Sequence, residues 1–265
     1  MLTLADTRIR NIEVAENGES FVDLAVFSDK ISVDLNRTLI SSRSEFFLYA
    51  RKTVAKRLLV ANQALPNGLQ LLITEAYRPL SQQRASFQRY VAKVRGSYPG
   101  ISDDEVLDIA SRYVAPPDVA GHPTGAAVDL TLQQIGGGHV EMGSVLNAMD
   151  TESSGACYTA CTFIPQTAKA NRRILAKAME IAGFVNYPSE WWHWSYGDRY
   201  WAVVTQQAQA LYGPVEEDAV ASDLYRYQEQ QNEYRSTSDT DLDADRHWRD
   251  GDEAVSGRKM QSTYR

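Results

Sequence analysis

Two segments of the chain contain residue types that could bind a metal ion. His122 precedes Asp129 by seven positions in GHPTGAAVDL, and His193 follows Glu190 by three positions in SEWWHWSY. Two imidazoles and one carboxylate are ligands of the kind that a catalytic zinc site uses, and the fourth position stays open for water. Glu190 is the acid available beside His193 to move protons between water and a leaving amine.

Spacing alone is also compatible with purely structural roles for these residues. An isolated histidine in an apolar segment commonly packs in a core, and an aspartate in a strand commonly serves as a cap or a turn partner. A charged Asp129 inside a strand is costly unless it is paired, hydrogen-bonded or metal-bound. Residues three apart on a regular strand face opposite sides, so Glu190 and His193 share a cleft only if the chain bends near Pro188 and Ser189.

The elements that must position these residues include both helices and strands. Apolar spacing and end signals predict helices over these ranges: 45–66, 81–97, 103–114 and 168–183. Short apolar or alternating runs predict these strands: GLQLLIT, AAVDLTL, FVNY, WWHWS and RYWAVV. The glycine-rich IGGGHVEMGSV predicts a hairpin. We therefore expect an α+β fold in which a mostly antiparallel central sheet has helices on one face and around its edges.

Composition narrows the class of protein. The 265 residues are 43% hydrophobic and carry a net charge of −7. The absence of a Lys/Arg stripe argues against nucleic acid as a partner of the main body. The first twenty residues contain no apolar signal-peptide core, and no run of about 18 apolar residues predicts a membrane span, so we expect a cytoplasmic protein. The two cysteines, Cys157 and Cys161, are predicted to be free thiols, with a zinc or redox pair as the alternative.

The chain divides by composition into two parts. We predict a catalytic domain over residues 1–212 and an acidic extension over 213–265. From Pro214 to Arg265 there are 13 acidic and 7 basic residues, a net charge of −6. DLYRYQEQQNEYR could form one helix, and the remainder has the composition of a disordered segment. A solvated tail is the simpler interpretation of the extension, and a docking segment is the alternative.

Three motifs give the chain a family resemblance. In order, EAYRP, HPTGAAVD and EWWHW resemble the zinc D,D-peptidase family that includes the vancomycin-resistance D-alanyl-D-alanine dipeptidases. The resemblance covers roughly residues 30 to 205 and implies the hedgehog-like α+β architecture of that family. It implies three zinc ligands: His122, Asp129 and His193. It also implies that Glu190 is the general base and that Arg78 stabilises the developing oxyanion, a role that suits a rigid, always charged guanidinium.

The resemblance also indicates where substrate binds and where this chain departs from the family. The dipeptidases carry Met-Gly-x-x-Phe-Asp, whose Asp receives the free ammonium of a dipeptide, whereas this chain has MGSVLN, with Leu146 and Asn147 at those places. A serine before the first zinc histidine is replaced here by Ala120 and Gly121. We predict three substrate-binding residues: Asn147, Trp191 and Tyr77.

The expected function is hydrolysis of D-alanyl-D-alanine, or of a related small dipeptide, with Zn2+ as cofactor. One alternative with the same chemistry is a D,D-carboxypeptidase or endopeptidase that acts on peptidoglycan peptides. The alternative from another class is a non-catalytic module that binds zinc or a partner protein.

Overall fold

A five-stranded sheet organises the protein in the computed structural model, which describes residues 2–37 and 40–226. The strands are β1 Glu13–Val14, β2 Phe21–Asp23, β3 Ser32–Val33, β4 Tyr49–Arg51, β5 Leu69–Glu75, β6 Ala127–Gln134, β7 Val185–Asn186, β8 His193–Ser195 and β9 Gln209–Ala210. The helices are α1 Thr7–Asn11, α2 Leu24–Phe27, α3 Lys52–Gln63, α4 Leu80–Ser97, α5 Asp103–Ser111, α6 Asp150–Ser153, α7 Gln166–Ile181 and α8 Arg199–Val204. Residues 217–226 are also helical.

The main sheet has the strand order β3-β5-β6-β8-β7. The pairs from β5 to β7 are antiparallel, as predicted, but β3 pairs with β5 in parallel. The sheet is therefore mixed. The long connection from β3 to β5 contains α3, and a parallel pair needs a crossover of this kind. Two further pairs, β1 with β9 and β2 with β4, form separate two-stranded sheets.

One face of β6 belongs to the main hydrophobic core. Val128 and Leu130 are fully buried there, in a cluster that includes Leu58 of α3 and Leu175 of α7. Successive side chains of a strand point to opposite faces, so Asp129 lies on the other side of the sheet. The core thus fixes the strand whose opposite face carries a buried carboxylate.

Three local predictions were wrong. The segment RYWAVV, predicted as a strand, is helix α8, because the Asp198 side chain caps it by accepting a hydrogen bond from Trp201 N at 2.8 Å. The helix predicted from residue 45 begins at Lys52, since Tyr49–Arg51 pairs with β2. The glycine-rich segment after β6 forms only an isolated bridge between Gln133 and His139, so it is a turn and not a two-stranded hairpin.

The remaining predictions concern the thiols, the membrane and the acidic extension. Cys157 and Cys161 are free and buried. Among the described residues no helix combines the length and apolar character needed to cross a membrane. The compact unit that holds the sheet runs from Met1 to Ala221. The predicted disordered part of the extension lies outside the described residues.

Candidate metal centre and active site

Strand pairing and one turn bring His122, Asp129 and His193 together. Asp129 on β6 lies directly opposite His193 on β8. His122 begins the 3-10 turn His122–Thr124 that leads into β6. The ligand atoms of the three side chains all lie within 4.8 Å of one another. Such a convergent set of two imidazoles and one carboxylate fits a divalent transition metal such as zinc.

The turn that carries His122 is tightly specified. The Thr124 hydroxyl donates to Gly121 O at 2.6 Å and accepts from Ala126 N at 3.1 Å. Gly125 ends the turn with φ +70°, in the left-handed region that favours glycine. A Cβ at Gly125 would lie only 2.2 Å from the Phe21 ring. This local geometry fixes the direction in which the His122 side chain leaves the backbone.

Hydrogen bonds orient the two imidazoles towards one carboxylate oxygen. His122 Nδ1 lies 2.6 Å from Ala76 O, so it is the nitrogen that donates, and Nε2 is left facing Asp129 Oδ1 at 3.4 Å. His193 Nδ1 lies 2.9 Å from the same oxygen. Metal-binding histidines commonly donate their second ring N–H to a carbonyl in this way, which sets the tautomer. His122 is therefore prepared to offer Nε2 to an ion.

The electrostatics of the cluster keep Asp129 ionised. Burial opposes the charged form, but His122 and His193 outweigh it and hold the pKa of the Asp129 carboxyl below its ordinary value. Burial likewise lowers the pKa of His193, whereas its hydrogen bond to Asp129 raises it, and the net direction is upward. The two histidines thus stabilise the carboxylate form of Asp129.

Glu190 reaches the cluster because the chain bends before β8. Its N–H donates to Tyr187 O at 2.9 Å, and its carbonyl accepts from His193 N at 3.2 Å, so residues 190–193 form a turn. This is the bend that a shared cleft requires. Glu190 Oε2 lies 4.0 Å from His193 Nδ1. The surrounding protein desolvates the carboxyl and raises the pKa of Glu190, although 36% of the side chain remains exposed.

Arg78 is held by a buried carboxylate that was not among the predicted site residues. Glu75 is fully buried, and its Oε1 accepts from Arg78 Nε at 2.8 Å and Nη2 at 2.7 Å. The backbone amides of Ser41 and Ser42 donate to the same carboxylate at 2.7 and 3.1 Å. Glu75 lies opposite Asp129 in the β5–β6 register. The sequence did contain a signal for this role of Glu75, because an acidic residue there ends an apolar strand three residues before an arginine.

A cavity of about 310 Å3 lies over the cluster. It brings together six of the eight predicted site residues: Arg78, His122, Asp129, Asn147, Glu190 and His193. Asn147 has φ +60°, an uncommon conformation for a residue with a side chain. Three side chains that could hold a metal ion, a carboxyl group and a fixed guanidinium therefore line one cavity.

The other two predicted residues, Trp191 and Tyr77, are not among the residues that line this cavity. Trp191 is 2% exposed, and its Nε1 donates to Ser144 Oγ at 2.9 Å. Tyr77 is fully buried, and its hydroxyl donates to Val215 O at 3.0 Å. The structure thus places both rings in the protein interior, and their role in binding substrate stays a prediction.

Comparisons with known proteins agree with the motifs. The family model described as D-ala-D-ala dipeptidase matches residues 41–211. A D-alanyl-D-alanine dipeptidase of Synechocystis is 30% identical over 207 residues, which cover 66% of this chain and 81% of that one. The Escherichia coli protein of the same name is 31% identical, covering 65% and 82%. The Enterococcus faecium protein of that name is 34% identical, covering 53% and 69%.

The matched segment contains every residue of the cluster. It begins at Ser41, whose amide donates to Glu75, and ends at Leu211, beyond His193. It covers well over half of the chain, and the Synechocystis relative is matched over most of its own length. The chain therefore belongs to the D-Ala-D-Ala dipeptidase family of peptidases.

Proposed function

We propose that this protein is a zinc metallopeptidase that hydrolyses D-Ala-D-Ala or a closely related small dipeptide. One observation carries the proposal: a His, Asp and His cluster of metal ligands opens into a cavity with a carboxyl group and a guanidinium beside it. The Zn2+ ligands are His122, Asp129 and His193. Family membership supports the choice of peptide hydrolysis over other reactions that a zinc site could perform.

The residues around the cluster have complementary tasks in this reaction. A zinc ion held there supplies a Lewis acid that activates water and polarises the scissile carbonyl. Glu190 takes a proton from the attacking water and returns it to the leaving amine, and its raised pKa suits a group that must do both. Arg78, fixed by Glu75, donates to the oxyanion as negative charge develops there. The buried carboxylate keeps the guanidinium in place without a rearrangement during the reaction.

The free amine of a dipeptide also needs a partner. Asn147 lines the cavity, but its amide has no charge to offer an ammonium group. Asp150, three residues later, lines the same cavity, and its Oδ2 accepts from the Tyr158 hydroxyl at 3.2 Å. Asp150 thus supplies the negative charge that receives the substrate amine.

We expect Asp150→Asn to weaken the use of free dipeptide. Loss of a charge-assisted hydrogen bond of about 1.5–3 kcal/mol should raise KM for D-Ala-D-Ala roughly 10- to 100-fold. Cleavage of N-acetyl-D-Ala-D-Ala, which lacks the ammonium, should not change. Asp104→Asn, on the exposed side of α5, is the matched control. An unchanged preference for the free amine in the Asp150 variant would remove Asp150 from this role.

A substrate panel tests the function itself. Zinc-loaded protein is incubated with D-Ala-D-Ala, L-Ala-L-Ala and N-acetyl-D-Ala-D-Ala, and released alanine is measured. We expect rapid cleavage of D-Ala-D-Ala, much slower cleavage of N-acetyl-D-Ala-D-Ala and no cleavage of L-Ala-L-Ala. Equal or faster cleavage of the blocked peptide would instead identify a D,D-carboxypeptidase, and no turnover with bound zinc would favour a binding module. The cytoplasmic location expected from the sequence stays a prediction, which cell fractionation tests.

A further inference from the structure

Residues 214–217, here called the strap, follow the segment that the family model matches and contact residues next to the active site. The family match ends at residue 211, and the predicted domain boundary at 212 would also leave the strap outside. Yet Val215 N donates to Pro123 O at 2.9 Å, and Val215 O accepts from the Tyr77 hydroxyl at 3.0 Å. One residue of the strap therefore bonds to two segments of the catalytic domain.

Both of these segments lead directly to active-site groups. Pro123 follows His122 in the turn that leads into β6. Tyr77 directly precedes Arg78 and lies two residues after the end of β5. The Tyr77 ring is fully buried and makes a T-shaped contact with the Phe21 ring, with ring centroids 5.7 Å apart. Burial, followed by the charges of the nearby strap carboxylates, raises the pKa of Tyr77, so the hydroxyl keeps its proton and remains a donor.

The two glutamates of the strap attach it at two more points. Glu216 accepts from Ser81 N at 3.0 Å and pairs with Arg84 at 3.3 Å. Ser81 lies in the first turn of α4, where a helix favours a negative charge. Glu217 accepts a hydrogen bond from the Ser44 hydroxyl. Ser44 is buried and lies in the loop whose amides hold Glu75.

These four attachments have one feature in common. Each of them joins the strap to a segment next to an active-site group. The four segments are the turn of His122, the residue before Arg78, the start of helix α4 after Arg78, and the loop that holds Glu75. None of the strap residues lines the described cavity. We infer that the strap is a positioning element, which sets the relative placement of the metal ligand His122 and the guanidinium of Arg78. This role goes beyond the proposed function, because it assigns a task to residues outside the matched domain.

A matched pair of full-length variants tests the inference. Tyr77→Phe removes the hydroxyl that donates to Val215 O and leaves the ring in place. Tyr212→Phe is the control: Tyr212 is equally buried, and its hydroxyl donates to Glu19 at 2.7 Å. The two variants lose the same chemical group from the interior. The measurements are unfolding temperature, Zn2+ affinity by competition with a chelator, and kcat and KM for D-Ala-D-Ala.

We expect the two variants to lose similar thermal stability but to differ at the active site. In Tyr77→Phe, kcat should fall about tenfold with little change in KM, because small displacements of reacting groups are costly. Zn2+ affinity should fall about threefold or more, since outer partners orient metal ligands. Tyr212→Phe should retain both values. Equal effects of the two variants, or an unchanged kcat and Zn2+ affinity in Tyr77→Phe, would overturn the inference.

A second variant tests the same inference by changing a residue of the strap itself. Glu217→Ala removes the acceptor of the Ser44 hydroxyl without altering the catalytic domain. A lower kcat and Zn2+ affinity, again at similar KM, are expected, and wild-type values for both would contradict the inference. If the wild-type protein cleaves no dipeptide, the proposed function fails, and the Zn2+ affinities of these variants still decide whether the strap positions the metal ligand.

Discussion

Replacing Glu190 by glutamine is expected to lower kcat for D-Ala-D-Ala by about 100- to 10,000-fold, the usual contribution of general acid–base catalysis. Glutamine has nearly the same shape, but its amide cannot take a proton from water and return it to an amine. Glu190 lies 4.0 Å from His193 Nδ1 and is outside the His, Asp and His ligand set. The variant should therefore still bind one zinc ion per chain.

Steady-state kinetics and zinc content, measured on the same preparation, check this prediction. Glu180→Gln, at the exposed end of α7, provides the control for removing one negative charge. Both variants should show the wild-type unfolding temperature within a few degrees. A Glu190→Gln protein that binds zinc and keeps more than a tenth of wild-type kcat would show that another group transfers the proton.

Replacing Glu75 by alanine is expected to have the largest effect on stability. The change removes the carboxylate that two nitrogens of Arg78 contact, and the amides of Ser41 and Ser42 lose their acceptor. Breaking a buried ion pair by removing one partner typically costs about 3–5 kcal/mol. The free energy of unfolding should fall by this amount, and kcat should fall as well, because Arg78 loses its orientation.

A double-mutant cycle separates the ion pair from other effects of the change. Chemical denaturation of Glu75→Ala, Arg78→Ala and the double variant gives the three free energies of unfolding. Removing both partners leaves no unpaired charge, so the double variant should lose much less stability than the two single losses together. Additive losses would mean that the two side chains do not stabilise each other.

The part of the site that the sequence predicted rests on local patterns. Alternation in AAVDLTL places Asp129 opposite the core-facing Val128 and Leu130, and β6 has this arrangement. His193 follows Glu190 by only three positions, and Pro188 before them indicated the bend. Short-range periodicity and turn residues are visible in one sequence because neighbouring residues alone determine them.

The parts that the sequence did not predict depend on distant contacts. Residues 49–51 look helical but form β4, because β2 lies beside them. The two residues of β3 are too few to reveal a parallel pairing with β5. The aromatic and β-branched residues of α8 favoured a strand in the sequence. The segment is a helix because the Asp198 side chain caps its first turn.

The same distinction applies to the active site. The role of Glu75 follows from Arg78 and from amides more than thirty residues earlier in the chain, which no spacing rule connects. Trp191, predicted to bind substrate, is buried and contacts Ser144 and Trp192, which the sequence did not indicate, and its role in binding stays a prediction. Asp150 belongs to none of the three sequence motifs, and it is identified only because it lines the cavity.

The proposed reaction depends most on the identity of the metal ligands, and anomalous scattering from a crystal of the zinc-loaded protein tests that identity most directly. Data collected on both sides of the zinc absorption edge should show one strong peak, about 2.0–2.2 Å from a ring nitrogen of His122, a ring nitrogen of His193 and a carboxylate oxygen of Asp129. A zinc peak bound by other residues, or no peak at this cluster in a protein that cleaves D-Ala-D-Ala, would contradict the proposed ligand set.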